Sequence, residues 1–172
     1  MTRMIFFACA YFLTCSACNI SVHSNPLALS YYKGGIINYD KQDYRGAILD
    51  FNKAVDLDPN YEEAFAFRGI VKRALNNDSG ALADFTLSIN ISANAFAYFN
   101  RGLTRASLRD YQGSKRDFTE VVFLEPNNSS AYYNRGTVYK MLGLNDSACL
   151  DFSKANKLGY KDAMLAIQNN CK

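Results

Sequence analysis

The dipeptide Asp-Phe occurs at residues 50–51, 84–85, 117–118 and 151–152, which sets its phenylalanines 34, 33 and 34 residues apart. Sixteen positions before each phenylalanine stands a glycine: Gly35, Gly69, Gly102 and Gly136. An aromatic residue lies four before each glycine (Tyr31, Phe65, Tyr98, Tyr132), and a small residue lies four before each phenylalanine (Ala47, Ala81, Ser114, Ala148). Arg68, Arg101 and Arg135 immediately precede three of the glycines. A period of this length marks a chain of stacked similar units, each burying its apolar face against its neighbours.

Between units, helix-stopping residues mark the joins. "LDPNYEEA" (57–64) and "LEPNNSSA" (124–131) carry Pro and Asn, which end one helix and start the next. The second junction, "SINISANAF" (88–96), is one residue shorter and lacks Pro, which points to a local change of twist. The spacing predicts helices over 27–39, 43–57, 61–74, 78–91, 94–107, 111–124, 128–141 and 145–158. Glycine and small residues let the two helices of a unit approach, while the phenylalanine fills the space between them. The Asp of each Asp-Phe pair is expected on the opposite, solvated face. A ninth helix, 161–170, follows Gly159 and Tyr160. Its Ala163, Leu165, Ala166 and Ile167 suit it to cover the exposed end of the array.

These in-phase positions resemble the tetratricopeptide repeat. The resemblance implies an all-α fold: a right-handed superhelical solenoid of four helix–turn–helix repeats, 28–61, 62–94, 95–128 and 129–160, closed by a capping helix within 161–172. It also implies a concave groove, lined by the first helix of each repeat, that binds a peptide or protein partner. The family's groove positions fall here on Tyr32, Lys33, Tyr39, Phe67, Arg73, Phe99, Asn100, Tyr133, Asn134 and Lys140, among others. Phe99, Tyr133, Asn100 and Asn134 would give an aromatic wall with backbone-binding amides; Arg73 and Lys140 would meet an acidic group. An aromatic stripe at helical spacing is more often the mark of core packing. The two-carboxylate clamp of the family's chaperone-binding members is absent, because its positions hold Tyr32, Ile36, Phe67, Phe96 and Asn100.

The N-terminus has the form of an address. In residues 1–17, "MTRMIFFACAYFLTCSA", Arg3 precedes an apolar run from Met4 to Leu13 and then small residues. That run is short of the roughly 20 residues a membrane-spanning helix needs. The stretch resembles a bacterial lipoprotein signal, with Cys15, Ser16 and Ala17 as the small-residue box (Cys15 where Leu is usual) and Cys18 as the lipidated residue. Plain cleavage near Ala17, an uncleaved anchor and a working Cys-x-x-Cys pair are the alternatives. Residues 18–27 read as a tether, and a lipid on Cys18 would hold the protein at the cell-envelope membrane. Loss of the signal removes Cys9 and Cys15 and lipidation would use Cys18, which leaves Cys149 and Cys171. The stretch from Ala148 to Cys171 resembles the end of exported repeat proteins of Bacteroidetes-type bacteria, and that resemblance implies a Cys149–Cys171 disulfide. Two unpaired thiols are the other reading.

No catalytic constellation accompanies the repeats. The chain has one histidine, His23, so no imidazole stands ready to activate a cysteine or join a metal cluster. Gly34 and Gly35 sit inside a repeat helix, where they cannot cradle a phosphate. With 19 basic and 16 acidic residues interspersed, the net charge of +3 forms no nucleic-acid footprint. The expectation is a non-catalytic interaction scaffold without cofactor or metal.

Overall fold

The computed structural model describes residues 25–171. The signal-like segment, most of the tether, and with them Cys9, Cys15, Cys18 and His23 lie outside the described residues. Every regular element within them is an α-helix: α1 (Pro26–Asp40), α2 (Tyr44–Leu57), α3 (Glu62–Ala74), α4 (Asp78–Ile91), α5 (Ala95–Ser107), α6 (Tyr111–Leu124), α7 (Ser129–Met141), α8 (Asn145–Lys157) and α9 (Ala163–Asn170). Odd and even helices pair within each repeat, and each even helix packs on the next odd one. Contacts also run from α1 to α3, α3 to α5 and α5 to α7. The odd helices therefore form the inner layer of a solenoid, and α9 covers α8 at its end.

Short polar side chains set most helix starts. Asn25, Asp43, Asn77, Asn94, Asp110 and Asn128 each accept a hydrogen bond from a first-turn backbone N–H. Asn94 thus starts α5 at the junction that lacks proline. The turn inside each repeat needs one residue in the left-handed region. Gln42, Asn76, Arg109 and Gly143 take it, with φ of 61°, 60°, 61° and 74°. The N–H beyond each of them closes the preceding helix, as Asp110 does on the Arg105 carbonyl.

The repeated glycines are packing positions. Phe51, Phe85, Phe118 and Phe152 are buried. A Cβ on Gly35 would lie 2.6 Å from the Phe51 ring, and one on Gly69 would lie 2.8 Å from Phe85. The offset of sixteen residues thus records a contact between the two helices of a repeat.

The Asp of Asp-Phe does not face solvent in the last three repeats. Asp84, Asp117 and Asp151 are buried, each gripped by the arginine sixteen residues earlier. Lys72 and Arg105 add second cations to Asp84 and Asp117, at 2.7 and 2.8 Å. The expectation of a solvated face fails because Arg and Asp share the glycine–phenylalanine offset, so the contact that buries the ring also brings the charges together. Each guanidinium also lies over an aromatic ring three residues earlier, Phe65, Tyr98 or Tyr132.

At the far end, Cys149 and Cys171 form a disulfide that ties the residue after α9 back to α8. Helix α9 starts at Ala163, two residues later than its sequence suggests, because Lys161 and Asp162 complete a turn after Gly159. Ala163 is fully buried and Ala166 and Ile167 are half-buried, but Leu165 is 59% exposed and does not serve as a core contact.

Candidate functional site

The odd helices line the concave face, and the groove residues inferred from the sequence divide there into two groups. Tyr32, Phe67 and Tyr39 belong largely to packing. Tyr32 meets Tyr61 at 4.9 Å and Phe67 at 5.7 Å between ring centroids, and Tyr39 lies against Tyr44. Burial first, and the nearby Glu63 carboxylate second, push the Tyr32 hydroxyl up to about 12. Tyr61 is also held above the usual tyrosine range, again by burial first.

Phe99 and Asn100 stand on the groove surface proper. Phe99 packs edge-on against Phe118 and exposes the rest of its ring to a cavity of about 440 Å³. Asn100, only 8% exposed, donates one N–H to the Phe96 carbonyl at 2.8 Å and lines the same cavity. Asn134 repeats that bond to the Ser130 carbonyl one repeat later. Both amides are thereby held in one orientation, instead of being free to flip toward a ligand. The tight burial of Asn100 makes it a more rigid and less accessible group than its sequence position suggests.

Tyr133 packs against Phe152 and stacks on Tyr160 at 4.4 Å, so the segment before α9 closes the groove at its C-terminal end. Lys140 lines a separate cavity of about 340 Å³, together with Tyr133, Asp162 and Leu165. Lys33 is exposed and Arg73 half-buried on their own helices, apart from these cavities. It is the neighbouring Lys72, not Arg73, that pairs with a carboxylate.

Phe96 is the residue whose role in the groove the repeat register misses. It is 44% exposed and stacks on Phe67 at 5.3 Å and 29°. One side of it borders the 440 Å³ cavity, with Glu125 and Asn128; the other borders a second of about 340 Å³, with Ala66, Phe67, Glu62 and Glu63. Phe96 lies six residues before Gly102, where the other repeats hold Leu29, Glu63 and Ser130, so it enters the sequence pattern only as a position of the absent two-carboxylate clamp. A large aromatic in the first turn of a helix was the available signal. Among the described residues no group of three or more His, Cys, Asp or Glu is placed to hold a metal, and no helix is long and apolar enough to cross a membrane.

Comparison with known proteins agrees with this geometry. Residues 28–61 match the tetratricopeptide repeat family model. Tetratricopeptide repeat protein 6 of Homo sapiens is 30% identical over 141 residues, which span 80% of this chain and 26% of the relative. The crystal structure of MamA superposes with a TM-score of 0.74 at 22% identity, covering 83% of this chain and 81% of that one. The first tetratricopeptide domain of Spaghetti (RPAP3), bound to the HSP90 peptide SRMEEVD, gives a TM-score of 0.66 at 26% identity and covers 68% and 96%. The chain spans about a quarter or less of the curated relatives it matches first.

Proposed function

Because the chain is a tetratricopeptide-repeat protein, we propose that it is a non-catalytic scaffold of the cell envelope that binds a peptide or protein segment in its concave groove. The observation that carries this reading is the pair of cavities on either side of Phe96, walled by Phe67 and Phe99 and edged by the fixed amide of Asn100. Concave, mostly apolar surfaces with a few set polar groups are the usual form of peptide sites. The likeness to a peptide-bound domain supports it.

The Cys149–Cys171 disulfide supports an oxidising, exported compartment. With the lipoprotein-like signal, it favours attachment to a membrane through a lipid on Cys18. A soluble periplasmic or secreted adaptor with the same groove is the other reading. Intact mass of the protein from the membrane fraction decides between them: diacylglycerol on Cys18 is required by the anchored form, and an unmodified mature chain in the soluble fraction overturns it. For the groove, partners retained by the wild-type protein are compared with those retained by Phe99→Ala. Retention that is equal on both proteins would place binding elsewhere on the solenoid and defeat the groove reading.

A further inference from the structure

Glu125 lines the larger of the groove's two central cavities, and neither that lining nor the lining of the smaller, which holds Glu62 and Glu63, includes a lysine, arginine or histidine among the described residues. Glu125 is exposed, and its Oε2 accepts a hydrogen bond from Asn128 Nδ2 at 2.7 Å, which fixes the carboxylate at the cavity edge. It has no cationic partner among the described residues. The floor between the carboxylates is apolar: Phe67, Phe96 and Phe99.

We propose that the groove receives an extended peptide that places one bulky apolar side chain in each cavity beside Phe96 and a Lys or Arg against Glu125. An extended segment can fill both cavities because its side chains project at regular intervals along one edge. A basic residue gains a fixed counter-charge there; an acidic one would be repelled on entry. The cations of the groove face are elsewhere: Lys140 shares its cavity with Asp162, at the end closed by α9. This inference rests on the groove-binding reading and adds the chemistry of the occupant.

The test uses the mature chain and a bead-displayed library of randomised peptides about ten residues long. Enriched sequences should combine two aromatic or branched aliphatic residues with Lys or Arg. A labelled peptide from that pool should bind Phe96→Ala and Glu125→Lys at least about tenfold more weakly, a loss of about 1.4 kcal/mol. Both side chains are substantially exposed, so circular dichroism should show both variants folded. Enrichment of acidic peptides, or affinity unchanged by Glu125→Lys while Phe96→Ala abolishes binding, overturns the basic-peptide inference and leaves the groove reading standing. If no enriched peptide depends on Phe96, both fall.

Discussion

Arg68 and Asp84 meet through two parallel hydrogen bonds, Nε to Oδ2 at 2.9 Å and Nη2 to Oδ1 at 2.8 Å. The remaining guanidinium nitrogen, Nη1, donates to Asn52 Oδ1 on α2, in the preceding repeat. Arg101 reaches Thr86 in the same way while gripping Asp117, and Arg135 reaches Thr119 while gripping Asp151. One side chain thus joins the two helices of its own repeat to the repeat before. In the first described repeat Gly34 stands in the arginine's place. Its Asp50 is half-buried and takes a hydrogen bond from Asn38 at 2.8 Å instead.

The staple and its missing first rung predict unequal costs for one substitution. Asp84→Asn leaves Arg68 and Lys72 partly buried without their counter-charge, and should cost about 3 kcal/mol. Asp50→Asn removes no buried ion pair and should cost about 1 kcal/mol. Urea unfolding followed by circular dichroism measures both. Equal losses would show that the arginines are not what holds the repeats together.

The glycine contacts give a second contrast. A methyl on Gly69 would meet the Phe85 ring at 2.8 Å, whereas one on Gly102 finds Phe118 at 3.2 Å. Gly69→Ala should therefore destabilise by about 2 kcal/mol, because a buried aromatic ring has little room to move. Gly102→Ala should fall near neutral, since alanine's helix preference of about 1 kcal/mol offsets the milder crowding. Thermal melting of the two variants checks the order, and a Gly102 variant as damaged as the Gly69 variant would contradict it.

What the sequence discloses and what it hides follow from how each feature recurs. The glycine–phenylalanine offset is legible because both residues repeat and both have few other uses at that spacing. The arginine–aspartate contact has the same offset but is concealed by a general preference, that carboxylates face water. The left-handed turn residue is visible at Gly143, yet Arg109 holds φ of 61° in the same register without any residue-type signal. In the groove, the family pattern locates Phe99 and Asn100. How far Asn100 is buried depends on the packing around it, which no single position encodes. Phe96 breaks the repeat, so periodicity passes over it, although its exposed ring divides the groove.

Tyr32 makes the N-terminal end sensitive to alkali. Its folded hydroxyl titrates at about 12 against an ordinary value of 10.0, so the folded state holds the proton more tightly than the unfolded chain. The sign follows: this stability is complete below pH 10 and is lost as pH rises through the folded value. Melting temperature should therefore fall between about pH 10 and pH 12, and Tyr32→Phe should flatten part of that fall. Tyr61 supplies a further share by the same sign. Parallel curves for wild type and Tyr32→Phe would remove Tyr32 from the account.

The disulfide predicts where the array frays. Cys149 and Cys171 are separated by 22 residues, and closing such a loop is worth about 3 kcal/mol on the chain-entropy estimate. Helix α9 is eight residues long, buries Ala163 as its one fully covered side chain, and packs mainly on α8. It has little else to hold it. In a solenoid the terminal unit opens separately from the rest, so the loss should be local. Amide exchange across 163–170 should accelerate roughly a hundredfold in Cys171→Ser or in reduced wild type, while exchange in α3 and α4 stays as it was. The stack of Tyr160 on Tyr133 should loosen with it and open the C-terminal end of the groove. Equal protection of α9 with and without the disulfide would mean that side-chain packing alone seats the cap.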